Sequence, residues 1–171
     1  MNPPTFTIRD CVEADAEVLV NLVRELAVYE KLEAEARATP DSFRKHLFGP
    51  HRAAEAILAE VNGKAVGFAL FFRTFSTFRG QPGIYLEDIF VKPEWRKLGV
   101  GKALLATVTR RVAESDGGRL EWSVLNWNEQ AIGFYKSIGA RPMSEWTVFR
   151  IDDEPLAKLA GLASDFLESS H

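Results

Sequence analysis

The chain has 171 residues, with 21 Lys and Arg against 24 Asp and Glu and a net charge of −3. Its 12 Phe, 4 Trp and 3 Tyr, in a composition 46% apolar, are ample for one core, so disorder as the dominant state is excluded. The weakly acidic balance argues against a general nucleic-acid binder, whose mark is a basic face. The longest uncharged apolar run, Ala65–Phe72, falls far short of the roughly 20 residues a bilayer-spanning helix needs.

Met1-Asn2-Pro3-Pro4 offers no basic stretch ahead of an apolar segment, so no secretory signal is expected. Cys11, the single cysteine, forbids an internal disulfide and fits a reducing compartment. His46, His51 and His171 lack a ligand-like spacing with cysteine or acidic partners, so no metal site is expected. The expectation is a cytoplasmic protein of one domain covering residues 1–171.

In chain order, Thr5–Arg9 alternates polar and apolar residues and predicts a short strand. Leu19, Leu22, Val23 and Leu26 recur at helical spacing, which predicts an amphipathic helix over 14–30. Thr39-Pro40 starts a second, short helix ending near Phe48, with Thr as cap and Pro at the first helical position. Two apolar runs, 54–61 and 64–75, flank Asn62-Gly63, the signature of a tight antiparallel hairpin. Gly80, Pro82 and Gly83 break the chain before a strand over 84–91. After Gly99, the residues Val100, Leu104, Leu105, Val108 and Val112 mark a long helix closed by Gly117-Gly118. A strand over 120–125, a helix over 129–138 ending at Gly139, a strand over 143–151 and a partly helical tail complete the list. Helices between strands in the second half require crossover connections and some parallel pairing. The expected fold class is α/β: a mixed, mostly antiparallel sheet with helices on both faces.

Three segments carry chemistry. The first runs from Val91 through Pro93 and Arg96-Lys97-Leu98-Gly99-Val100-Gly101 into the long helix. Glycines let backbone approach an anion, and helix N-terminal N–H groups favour it. A Walker loop would need Gly at position 96 and a hydroxyl at 103, where Arg96 and Ala103 stand. A dinucleotide fingerprint would need Gly in place of Leu104. An ordinary strand-to-helix turn is the plain alternative. The second segment is Tyr85-Leu86-Glu87-Asp88-Ile89-Phe90-Val91, two adjacent acids in an otherwise apolar strand. Strand alternation sends Glu87 and Asp88 to opposite faces, and a buried carboxylate needs a partner or a cleft. The third is Trp127-Asn128-Glu129-Gln130-Ala131-Ile132-Gly133-Phe134-Tyr135, with Asn128 suited to cap the helix. Tyr135 lies toward its apolar side, which fits either a core tyrosine or a proton donor.

Arg-x-x-Gly-x-Gly after Val-x-Pro resembles the acetyl-coenzyme A loop of the GNAT superfamily of N-acetyltransferases. Leu86-Glu87-Asp88, Trp-Asn-x-x-x-Ile-x-Phe-Tyr and the string Glu25-Leu26-Ala27-Val28-Tyr29-Glu30 narrow that resemblance to the spermidine/spermine (diamine) group. The resemblance implies that backbone N–H groups of Lys97, Leu98, Gly99, Val100, Gly101 and Lys102 hold the coenzyme pyrophosphate, with Arg96 bordering the loop. It further implies coenzyme contacts from Ile89, Phe90, Val91 and Asn128, and proton donation to the leaving thiolate by Tyr135. Glu87 becomes the substrate-binding carboxylate and base, with Asp88, Tyr29 and Glu30 in the acceptor site. The implied activity is acetyl transfer from acetyl-coenzyme A, without a metal, to a primary amine of a polyamine, diamine or lysine analogue. Alternatives are a protein, peptide, drug or amino-acid acetyltransferase, and a non-catalytic acetyl-coenzyme A-binding module. Members of the family commonly dimerise, so a homodimer is expected. The stretch from Phe75 to Pro82 and the tail after Asp152 follow the family only loosely.

Overall fold

The computed structural model describes residues 5–168, in two compact units divided after Ser123. In the first unit, β1 (Thr7–Asp10) pairs antiparallel with β2 (Glu55–Val61). The Asn62-Gly63 turn, at φ 49° and 73°, then reverses the chain into β3 (Lys64–Ser76). β4 (Gln81–Val91) pairs antiparallel with β3, and β5 (Leu120–Trp122) joins β4 in parallel. The sheet order is β1-β2-β3-β4-β5, so it is mixed and mostly antiparallel, as the sequence predicts.

Two of its boundaries differ from the sequence reading. β4 begins at Gln81 and runs through Pro82 and Gly83, which pair with Phe75 and Thr74. The hairpin ladder with β3 thus overrides two residues that weaken strands in isolation. β5 stops at Trp122, short of the expected Leu125.

α1 (Ala16–Glu30) presents Leu19, Leu22 and Leu26 to Leu58, Phe68, Leu70 and Phe90 in one buried cluster. α2 (Pro40–Phe43) is capped by Thr39, whose Oγ1 accepts from the Ser42 N–H at 3.1 Å, and it continues as a π-helical turn over Arg44–Phe48. α3 (Val100–Glu114) packs on β3 and β4 through Val100, Leu104, Leu105, Val108 and Val112. Its Arg111 lies 5.3 Å over the ring of Phe71. Phe71 and Leu70 are successive strand residues and so point to opposite faces, which puts α1 and α3 on opposite sides of the sheet.

Gly67 on β3 lies close against the backbone of β4. A Cβ there would stand 2.6 Å from the Phe90 carbonyl oxygen, so only glycine permits this approach.

The second unit contains α4 (Glu129–Ser137) and α5 (Asp153–Glu168). The strand expected over 143–151 does not form: the segment is irregular, with a turn near Trp146. Alternation alone cannot make a strand, because the ladder needs a partner backbone, and among the described residues none pairs with it.

Candidate active site

β4 and β5 pair only over Ile84–Leu86 and Leu120–Trp122. Beyond Leu86 the β5-facing edge of β4 has no ladder partner among the described residues, so backbone groups from Glu87 to Val91 line an open edge. Ile89, Phe90 and Val91, the expected coenzyme contacts, lie along this stretch.

A β-bulge stands where the two strands part. Leu70 pairs with Asp88 and Phe71 pairs with Leu86, which leaves Glu87 as the extra residue on β4. The bulge interrupts the regular alternation assumed for this stretch of β4. Asp88 shares the face of Leu70, the face that α1 covers, while Glu87 is exposed at the bulge.

Asp88 is half-buried, and its pKa is pushed up to about 6. Desolvation is the main cause, followed by the negative charges of Glu87 and Glu30. Glu30, at the end of α1, is itself raised by burial. The charges of Glu30 on α1 and Glu87 on β4 therefore both bear on Asp88, which a cation would relieve.

The glycine loop follows β4. Arg96 donates from Nε to the Val91 carbonyl at 2.9 Å, and its guanidinium lies 4.3 Å over the Tyr29 ring and 5.7 Å from that of Phe90. One face of Tyr29 is thus taken by the loop's arginine, a contact that no sequence pattern signals. Lys92 pairs with Glu25 of α1 at 2.9 Å, so two ties join the loop to α1. Lys97 and Gly99 both take positive φ, 62° and 87°. Gly99 caps α3 without any side-chain acceptor, and no acid occupies the first turn of that helix. Left-handed residues ahead of an uncapped helix N-terminus present their N–H groups to an anion. Lys97 and Lys102 are exposed beside them.

Asn128 and Tyr135 belong to the second unit. Asn128 caps α4, accepting from the Ala131 N–H at 3.2 Å through Oδ1. Tyr135 is half-buried on the same helix, its ring 5.5 Å from that of Phe134. The acids of α1 and β4 and the loop are gathered in the first unit, whereas these two residues are described on their own helix.

The mixed sheet, with the bulged acidic strand running into a glycine loop at a helix N-terminus, belongs to the class of acetyl-transferring enzymes. The chain belongs to the Acetyltransferase (GNAT) family, whose pattern matches residues 17–140, and it is an acetyl-transferring enzyme. Among its relatives, the thialysine N-epsilon-acetyltransferase of Bos taurus is 34% identical over 165 residues, covering 90% of this chain and 96% of the relative. The spermidine/spermine N(1)-acetyltransferase-like protein 1 of Homo sapiens is 29% identical over 165 residues, covering 91% of this chain and 24% of that protein. A solved integron cassette protein from V. cholerae superimposes with a TM-score of 0.77 at 27% identity, covering 91% of this chain and 97% of that one.

Proposed function

We propose that this protein transfers an acetyl group directly from acetyl-coenzyme A to the primary amine of a small cationic acceptor, preferentially a lysine analogue. The observation that carries this reading is the cluster of Glu30, Glu87 and Asp88 at the point where β4 leaves β5. A cationic amine is drawn there by charge and meets the thioester at the open β4 edge. The thialysine acetyltransferases, which match along nearly their whole length, favour a lysine-like acceptor. The human spermidine/spermine-like relative keeps polyamines and diamines in the panel.

An alkylammonium, with a reference pKa near 10.4, must lose a proton before it can attack. In the proposed sequence, Glu87 accepts that proton, directly or through one water. The free amine forms the new C–N bond at the thioester carbonyl, whose oxygen is held by N–H groups of the 89–91 stretch. The C–S bond then breaks, the amide nitrogen sheds its second proton to solvent, and Tyr135 donates a proton to the departing thiolate. Loop N–H groups from Lys97 to Lys102, bordered by Arg96, hold the pyrophosphate, and Asn128 contacts the coenzyme. Tyr29, Glu30 and Asp88 line the acceptor side.

General acid–base groups contribute about 10²–10⁴ to rate. Glu87→Gln and Tyr135→Phe are therefore each expected to lower kcat/KM at least about a hundredfold, read by coenzyme A release. Values equal to wild type in both variants would contradict these roles.

A further inference from the structure

The face of the sheet that carries Asp88 has two aromatic cross-strand pairs on it, one on each side of the Leu70–Asp88 pair. Phe68 and Phe90, on the loop side, are buried under α1. Phe72 and Tyr85, on the other side, are stacked with ring centroids 5.3 Å apart and planes 27° from parallel, yet both are only half-buried. β3 runs without interruption from Leu70 to Phe72, so this second pair lies about 7 Å along the strand from Asp88. Tyr85 is fixed by its phenol, which shares a 2.7 Å hydrogen bond with Ser123 Oγ. The acids therefore stand at a boundary where a helix-covered core gives way to an open, rigid aromatic floor.

We propose that the Phe72–Tyr85 stack, held by Ser123, is the specificity floor of the acceptor site and takes the methylene chain that separates the reacting nitrogen from the far end of the acceptor. This inference rests on the amine-acetyltransferase reading and adds to it the part of the acceptor that is selected. A flat aromatic pair binds alkyl chain by area, without a directional partner. The charged nitrogen is met one cross-strand pair away by the carboxylates. An acceptor with an amine on a short stem would reach the acids and leave the floor empty. One with a lysine-length chain covers both.

The test is a series of unbranched diamines from ethylenediamine to hexamethylenediamine with acetyl-coenzyme A, on the full chain. Wild-type KM is expected to fall with each added methylene, by up to about fourfold per group. In Tyr85→Ala and Phe72→Ala that slope should flatten, with KM for the longest diamine raised about tenfold and KM for acetyl-coenzyme A at the wild-type value. Tyr85→Leu, which keeps apolar bulk, serves if the alanine variants fail to fold, and should lie between wild type and alanine. Ser123→Ala, which frees the ring, should raise KM for the long diamines more than for the short. A wild-type slope retained in the ring variants, with acetyl-coenzyme A binding intact, would overturn the proposal and leave the stack as architecture. A wild-type KM independent of chain length would overturn it as well. If wild type acetylates thialysine but no diamine of the series, the inference alone is overturned; if it acetylates neither, the small-amine reading above fails first and this inference falls with it.

Discussion

At the scale of single residues, Asp88 joins function to stability. Its folded pKa, about 6, lies well above the ordinary carboxylate range. A raised acid stabilises the fold fully below the unfolded pKa and loses that contribution as pH rises through the folded one. Ionised Asp88 therefore costs stability at neutral pH, and Asp88→Asn should raise thermal stability at pH 7–8 by about 1–3 kcal/mol. The gain should vanish below about pH 4; a gain independent of pH in melting experiments would contradict the assignment. The same acid should shape turnover. The kcat/KM of wild type should rise from pH 5 to 7 with a midpoint near 6, and Glu30→Gln should move that midpoint lower by removing one of the charges that raise Asp88.

Asp15 behaves oppositely. Two bonds from Arg9, at 2.6 and 2.9 Å, and the Val12 N–H at 2.8 Å hold its carboxyl below the usual range. Its contribution is present above the unfolded value and is lost as pH falls through the folded one. Asp15→Ala is thus expected to cost about 1–3 kcal/mol at pH 7, with the difference from wild type shrinking in acid denaturation series. Sequence pattern marks Glu87 and Asp88 as a pair worth chemistry, but not the bulge at which they stand. Period-2 alternation assumes an unbroken ladder, and the bulge at Glu87 breaks it.

At the scale of elements, local chemistry was most legible where one or two residues force a conformation. The Thr39 cap, the Asn62-Gly63 turn and the Gly99 entry to α3 all stand where their residue types require. What depends on a distant partner was not legible. The pairing of Pro82 and Gly83 with β3, the early end of β5 and the irregular 143–151 segment all turn on whether a partner strand lies alongside. The Arg96–Tyr29 and Phe72–Tyr85 contacts likewise join residues far apart in the chain.

Two glycines are held by their elements for different reasons. Gly67→Ala would drive a methyl into the Phe90 carbonyl and is expected to destabilise by about 1–3 kcal/mol, lowering Tm by roughly 2–4 °C per kcal/mol. Gly99→Ala meets open space but a φ of +87°, a left-handed strain of about 1–2 kcal/mol. Its expected effect is a loss of about tenfold in acetyl-coenzyme A affinity, read by calorimetry. Unchanged affinity would separate the loop from the pyrophosphate.

At the scale of the whole molecule, a net charge of −3 conceals a useful separation. Glu30, Glu87 and Asp88 make one acidic locus, while Arg96, Lys97 and Lys102 stand around the glycine loop that follows β4. This places an acidic locus on β4 and the end of α1 and a basic one on the loop and helix that follow β4, which in the proposed function suits a cationic acceptor and an anionic donor. Among the described residues no helix is long and apolar enough to cross a membrane.

The most direct measurement is steady-state coenzyme A release from acetyl-coenzyme A across thialysine, lysine, ornithine, diamines and polyamines, in wild type and Glu87→Gln side by side. Saturable turnover on lysine-like amines is expected, with kcat/KM at least about a hundredfold lower in Glu87→Gln. Binding of acetyl-coenzyme A without turnover on any of these amines, or equal turnover by the two proteins, would contradict it.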